Sequence, residues 1–309
     1  MAHNLVRLQE LGTVIPTLSQ FAREYTNESL VAKHIFKPVP INAYHFKVPI
    51  FDKESFKIYK TGTAIGTDTP IIPPSAKKKK SFTIEAHQLA ALVTKEENEV
   101  SPDDENRIAQ NKVTEGMNLE QEYLMSKLAQ DDSKYHASHV ITLTGADLFS
   151  DPDSDIETKV IAWRKTIRRK IHKEPNSAVI GLDMYYDLLK HKQVKAYAYG
   201  TSSAARAATI EEIKKVLKVK HLSIGAGLFV DANGKEHEMW GNNLIYYWNP
   251  EGKVKKGDPC FAYFFQHKRW PVIDRYDNKS KSETYIRETN HYGFEIVGKD
   301  AGLLIKMGA

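Results

Sequence analysis

The chain has 309 residues, 41% hydrophobic and 27% charged, with a formal net charge of +5. That composition describes a folded globular chain and excludes a disordered or fibrous one. No stretch reaches the roughly 20 apolar residues needed to cross a bilayer as a helix, and the single cysteine, Cys260, excludes an internal disulfide framework.

The N-terminus carries an early Arg7 but no long apolar core followed by a small-residue cleavage site, so no secretory signal is expected. The Asn-x-Ser tripeptides at Asn27 and Asn278 are accordingly read as chance. LSQFAREY suggests a short helical turn, and the two prolines of KPVPIN forbid a regular helix or a central strand there. Residues 44–60, YHFKVPIFDKESFKIYK, alternate apolar and polar residues and predict a strand. TGTAIGTDTPIIPPSAKKKK follows at 61–80, then SFTIEAHQLAALVT, which reads as a returning strand with a helix as the alternative. The simplest account is a long two-stranded ribbon with an irregular tip.

Residues 103–130 predict a long helix with an apolar stripe of Ile108, Val113, Met117, Leu124 and Leu128, lying across a surface. Gly116 in its middle permits close approach or a bend, or is simply tolerated. A second helix is marked by a capping-box pattern at Ser154 and Glu157 and by the face Val160, Trp163, Ile167 and Ile171; Pro175 ends it. SAVIGL reads as a short buried strand, DMYYDLLKH as a helix capped by Asp183, and Thr209 with Glu212 as another capping box. VKHLSIGAGLFV, NNLIYYWNP and PCFAYFFQH complete the strands. The irregular order of these elements predicts an α+β chain.

Charge is segregated. Acidic residues dominate from Glu85 to Asp132, whereas Arg164, Lys165, Arg168, Arg169, Lys170 and Lys173 form a dense basic group. Opposite blocks favour complementary packing within the chain or between copies of it.

Catalytic constellations are absent from the sequence. The glycines of TGTAIGTD lack the spacing and following helix of a phosphate loop, and three prolines precede the lysines. No metal motif or nucleophile elbow occurs. His237 in KEHEMW faces away from Glu236 and Glu238 on alternating geometry, and Cys260 in CFAYFF reads as a buried hydrophobe. Neither an enzyme nor a cofactor is expected.

The order of pieces is nevertheless specific. An arm, a Gly/Pro-rich ribbon and a long polar helix precede KVIAWRKTIRRKIHKEPNSAVIGLDMYYDLLKHKQVKAY; TIEEIKKVLKVKHLSIGAG, MWGNNLIYYW and ETNHYGFEIVGKDAGLLIKMG follow. Over nearly its whole length the chain resembles a major capsid protein of a tailed double-stranded DNA bacteriophage, whose fold encapsulin shells share. The resemblance implies an N-terminal arm at 1–44, an extended loop at 45–84 that reaches over a neighbouring subunit, and a peripheral domain at 85–174 with spine helix 103–130. It further implies an axial domain at 175–270, with its tip at the symmetry axes of hexamers and pentamers, and a closing segment at 271–309. Residues 154–173 would pack near the spine helix.

The implied function is mechanical: many copies assemble an icosahedral shell around double-stranded DNA without reading its sequence. The implied partners are other copies, a portal protein, a separate scaffolding protein and a decoration protein. The location would be the virion, after assembly in the host bacterial cytoplasm. A scaffold separate from this chain is expected because no long coiled segment precedes the arm. Some family members make a Lys–Asn bond between subunits, but no acceptor environment is defined here for Lys57 or Lys60.

Within the ribbon, Lys57, Lys60, Gly62, Gly66, Pro70, Pro73, Pro74, Lys77, Lys78, Lys79 and Lys80 are the candidate inter-subunit contacts. The glycines serve as turn-formers, the prolines stiffen the return, and the lysines meet acidic surface on the next copy. Arg164, Arg168 and Arg169 form a charged helix face, expected to be paired with acidic protein surface, with inward contact to DNA as the other account. The alternatives to a phage shell are an encapsulin-like compartment and a basic nucleic-acid-binding protein.

Overall fold

The apolar runs of the second half of the chain pair into two separate sheets that share one core, and the five-stranded sheet has a second core on its other face. A computed structural model describes residues 13–14, 30–49, 79–94, 102–199, 208–256, 258–278 and 283–308. In chain order the main elements are β1 (Thr13–Val14), α1 (Ala32–Ile35), β2 (Phe36–Ile41), β3 (His45–Pro49), β4 (Lys79–Thr83), β5 (Glu85–Thr94), α2 (Pro102–Ala129) and β6 (Val140–Leu143). They continue with α3 (Ile156–Ile171), β7 (Ser177–Gly181), α4 (Leu182–Lys190), α5 (Lys192–Tyr199), α6 (Ile210–Leu217), β8 (His221–Gly225), β9 (Leu228–Val230) and β10 (Glu236–Glu238). The last strands are β11 (Asn243–Tyr247), β12 (Ala262–His267), β13 (Val272–Asn278), β14 (Glu283–Ile296) and β15 (Gly302–Met307). The chain is α+β.

The first sheet runs β6-β15-β11-β7-β8. Every residue of β7 is buried, which explains its unbroken apolar run. Val160, Trp163 and Ile167 of α3 share a core with Ala178 and Ile180 of β7, Tyr246 of β11 and Leu303 and Ile305 of β15. The expectation that residues 154–173 pack beside the long helix is therefore corrected: the apolar face of α3 is matched by the five-stranded sheet. Two cap assignments also shift. Asp155, one residue after Ser154, caps α3 by accepting from the Thr158 amide, while Ser154 Oγ turns back to the Asp147 carbonyl. α4 starts after Gly181 with no side-chain cap, and Asp183 sits inside its first turn. The capping box of Thr209 and Glu212 on α6 is formed on both sides.

The second sheet is built on the long strand β14. β12 and β13 lie end to end along one edge of it and β5 along the other, all antiparallel. β2 then pairs parallel with β12, and β1 with β13. Ala and Leu in β5 left a helix open, but ten pairings to β14 from Glu85 to Thr94 hold it extended. α2 crosses this sheet. Its buried row is Ala109, Val113, Met117, Gln121, Met125 and Ala129 at every fourth position, beside a second row of Gln110, Thr114, Glu122 and Ser126. The stripe expected from periodicity is partly corrected: Val113 and Met117 are buried, Leu124 and Leu128 are half-buried, and Ile108 is exposed. Polar side chains occupy the buried face because each finds a partner there or lies beside one that does. At Gly116 the helix meets the strand, where an added Cβ would come 2.7 Å from Leu89 Cδ2.

β3 and β4 pair antiparallel, with Phe46 opposite Phe82, and so bring together the two ends of residues 50–78. β9 and β10 make a small separate hairpin.

Candidate inter-subunit surfaces and the arm anchor

The first described residues after the N-terminal segment are fastened to α2 by one buried carboxylate. Glu122 Oε1 accepts the Val31 amide at 3.0 Å and the Trp240 indole N–H at 2.9 Å; Oε2 accepts the Ala32 amide at 2.9 Å. These are donors at the start of α1, left without carbonyl partners by helix geometry, and a carboxylate suits them. Burial pushes the Glu122 carboxyl above the usual carboxylate range, and the three donors pull it part of the way back. Glu288 of β14 is likewise raised by burial while Thr114 donates to it at 2.8 Å.

Two amides complete the anchor. Asn249 receives the Phe261 amide at 3.0 Å and donates to the Ile35 carbonyl at 2.8 Å, while Asn176 donates to its carbonyl at 2.7 Å. The end of α1 and the residue before β12 therefore meet at the Asn249 side chain, while the residue before β7 holds the Asn249 backbone. Gln130, just past α2, donates to the Met239 carbonyl at 2.8 Å and accepts from Asn243 at 2.7 Å. Periodicity does not single out Glu122, Asn249 or Gln130, because their partners are remote in the chain. The one usable signal is that Glu122 falls in phase with the buried face of α2.

Of the ribbon candidates, Lys57, Lys60, Gly62, Gly66, Pro70, Pro73, Pro74, Lys77 and Lys78 lie outside the described residues. Lys79 and Lys80 are on β4, both exposed. Lys80 Nζ meets Glu295 of its own chain at 2.8 Å, so the acidic surface it reaches here is within the subunit.

The charged face of α3 divides. Arg164 is largely covered and ties α3 to the Pro175 carbonyl at 3.3 Å, to the Lys218 carbonyl and to Glu174. Arg168 is exposed and reaches Glu174 at 3.2 Å, and Arg169 is exposed. The Arg164 guanidinium beside Glu174 holds that carboxyl below its ordinary range. Arg164 and Arg168 thus both meet an acidic group of the same chain.

Several large apolar side chains face solvent in the single chain. Leu89, Leu92 and Ile108 are 41%, 47% and 55% exposed beside a recess of about 640 Å³ between β5 and α2. Leu228 and Val230 on β9 are also exposed. Apolar groups clustered in this way mark surfaces that other chains cover.

Cys260 is buried, and burial pushes its thiol up, away from the reactive thiolate. His237 meets Asp231 at 3.0 Å and stacks on Phe229. Among the described residues no three His, Cys, Asp or Glu side chains form a group that could hold a metal ion.

The fold is one found in solved particles: it superposes on the virus-like particle of Pyrococcus furiosus with TM-score 0.56 and 13% identity, over 94% of this chain and 96% of that one. On a phage-related protein from Bordetella bronchiseptica RB50 the TM-score is 0.77 at 24% identity, over 96% and 97%. No family model matches the chain. The major capsid protein of Burkholderia phage BcepMu is 26% identical over 307 residues, covering 97% of this chain and 98% of that protein. Along nearly its whole length the chain is similar to that phage capsid protein.

Proposed function

We propose that this chain is the major capsid protein of a tailed phage, and that its copies close an icosahedral shell of hexamers and pentamers around double-stranded DNA. The observation that carries this reading is the full-length similarity to a phage major capsid protein, with no large insertion or deletion to alter the subunit. The exposed apolar rim between β5 and α2, and the hairpin β9–β10, are then surfaces covered by neighbouring subunits. Weak contacts repeated around closed rings supply the cohesion of such a shell.

The ribbon whose base is β3 and β4 extends over the adjacent subunit, carrying Lys57, Lys60, Gly62, Gly66, Pro70, Pro73, Pro74, Lys77 and Lys78 to it. The arm, the peripheral and axial domains and the closing segment take the boundaries expected above, except that α3 belongs by packing to the five-stranded sheet. A portal protein, a separate scaffolding protein and a decoration protein complete the assembly, which forms in the host cytoplasm and ends in the virion.

Electron microscopy of the purified protein tests the reading. Closed particles of uniform size are the expected result. A protein that stays monomeric under every assembly condition, with scaffold present, overturns it. Particles filled with protein cargo and no DNA would favour an encapsulin-like compartment instead.

A further inference from the structure

One charged recess opens among α1, β2, α6 and β8. It has a volume of about 710 Å³ and is bordered by Lys33, Lys37, Lys214, Lys220, His34 and His221, against one carboxylate, Glu251. Polar groups lie among these charges: Ser177, Ser223 and the amides of Asn176 and Asn249. Lys33, whose ammonium donates to Asn118, and Pro38 also border a second recess of about 710 Å³, lined by Lys253, Lys255 and Lys268 and by one carboxylate, Glu288. The two recesses therefore form one basic track along both sides of β2.

We propose that this track binds the phosphodiester backbone of double-stranded DNA, and so is where the shell subunit touches its contents; the inference rests on the shell reading above. Four observations favour DNA over an acidic protein segment. The charges are chiefly lysines, point charges of the kind that neutralise phosphates. Ser223, Asn176 and Asn249 add the neutral hydrogen-bonding groups that phosphate oxygens also use. No exposed Phe, Tyr or Trp borders the first recess, where Tyr247 is buried, so contact there is chiefly to phosphates and binding is sequence-independent. The ion pair of Lys220 with Glu251 at 2.7 Å, between two lining residues, is exposed on both sides and contributes little, so a phosphate can replace the carboxylate at small cost.

The field of the cluster is felt at His34. Burial first, then the charges of Lys37 and His221, hold its imidazole below the ordinary histidine range. Lys214 meets Glu211 at 2.6 Å on the helix surface.

The test is fluorescence anisotropy of the unassembled full-length chain with a labelled 20-base-pair duplex, over a series of salt concentrations. The combined variant Lys37→Gln, Lys214→Gln, Lys220→Gln is compared with a control of equal charge loss on α3, Lys165→Gln, Arg168→Gln, Arg169→Gln. The expected result is at least a tenfold loss of affinity for the track variant, with the log–log salt slope reduced by roughly 1 for each phosphate contact removed. The α3 control should bind like the parent chain. The inference is overturned if the parent chain does not bind the duplex, or if the α3 variant loses as much as the track variant. It is also overturned if polyglutamate displaces the duplex better than unlabelled DNA at equal charge, which assigns the track to an acidic protein. The single reversal Lys37→Glu, with its thermal melt recorded, separates lost binding from lost folding. Shell formation is read independently by microscopy, so a chain that forms shells without binding duplex sinks this inference alone.

Discussion

The indole N–H of Trp240 and the backbone amides of Val31 and Ala32 converge on one carboxylate, Glu122, at 2.9–3.1 Å. That carboxylate is buried, and it joins three parts of the chain: the end of the N-terminal segment, the middle of α2 and the entry to β11.

Glu122→Ala leaves three buried donors without an acceptor and is expected to cost about 3 kcal/mol or more. Glu122→Gln keeps the shape but turns an amide NH₂ toward an N–H, for a loss of about 1–3 kcal/mol. Urea midpoints measure both. A second readout is proteolysis near Val31, which should accelerate in both variants as the arm detaches. A Gln variant within 0.5 kcal/mol of the parent would mean that the anchor is held by packing alone.

His291 is fully buried, with neither ring nitrogen hydrogen-bonded among the described residues, between Trp270 and Tyr44 at 4.5 and 5.1 Å. Burial, followed by the charges of His267 and His87, holds its pKa at about 4 rather than 6.5. The unfolded chain therefore binds this proton first, and stability falls as pH drops from 6.5 toward 4. The gap corresponds to about 3 kcal/mol. Glu122 and Glu288, with raised pKa values, act the other way: their contribution is present at low pH and declines as pH rises above the ordinary carboxylate range. Urea midpoints between pH 7 and pH 4 should show a shallower loss for His291→Phe than for the parent. Parallel profiles would remove His291 as the cause.

Arg164 and Arg168 share Glu174 but differ in consequence. Arg164→Ala frees two backbone carbonyls, at Pro175 and Lys218, and is expected to cost about 1.5–3 kcal/mol. Arg168, exposed with a single ion pair, should cost no more than about 0.5 kcal/mol. Thermal melts of the two single variants decide this, and equal effects would contradict the assignment.

Gly181 ends β7 where the chain from β11 passes closest. An added Cβ would lie 1.7 Å from the carbonyl oxygen of Gly241, and backbone cannot yield as a side-chain tip can. Gly181→Ala is expected to cost about 3 kcal/mol or more. The check is soluble yield and melting temperature beside Gly234→Ala, whose Cβ meets nothing but whose φ of +79° carries backbone strain alone.

Deletion of residues 62–76 should leave a folded subunit, because the base of the ribbon, β3 paired with β4, is kept. Under the proposed function that subunit fails to close shells. Unchanged melting with loss of closed particles under electron microscopy is the expected pair of results; normal shells would reduce the stretch to a tolerated surface loop.

Much of the local structure was legible in the residues. Alternation marked β3, the unbroken apolar run marked β7, and Thr209 with Glu212 marked the start of α6. The order of these pieces was enough to suggest a shell protein. The legibility weakened where a segment had no strong preference of its own. β5 is Ala- and Leu-rich and becomes a strand because β14 offers it a complete edge. α3 carries an apolar face that any sheet could cover, and nothing local says which sheet does.

By itself, then, the sequence determined the α+β class and those elements whose periodicity, caps and breakers act over a few residues. Only the tertiary structure decided that Glu122 takes donors 91 and 118 positions away, that Lys80 pairs with Glu295, and that lysines from α1, β2 and α6, with Lys220 just before β8, line one recess. The reason is physical: a buried polar group must find a partner somewhere, and where that partner lies is set by how the two sheets bring distant segments together.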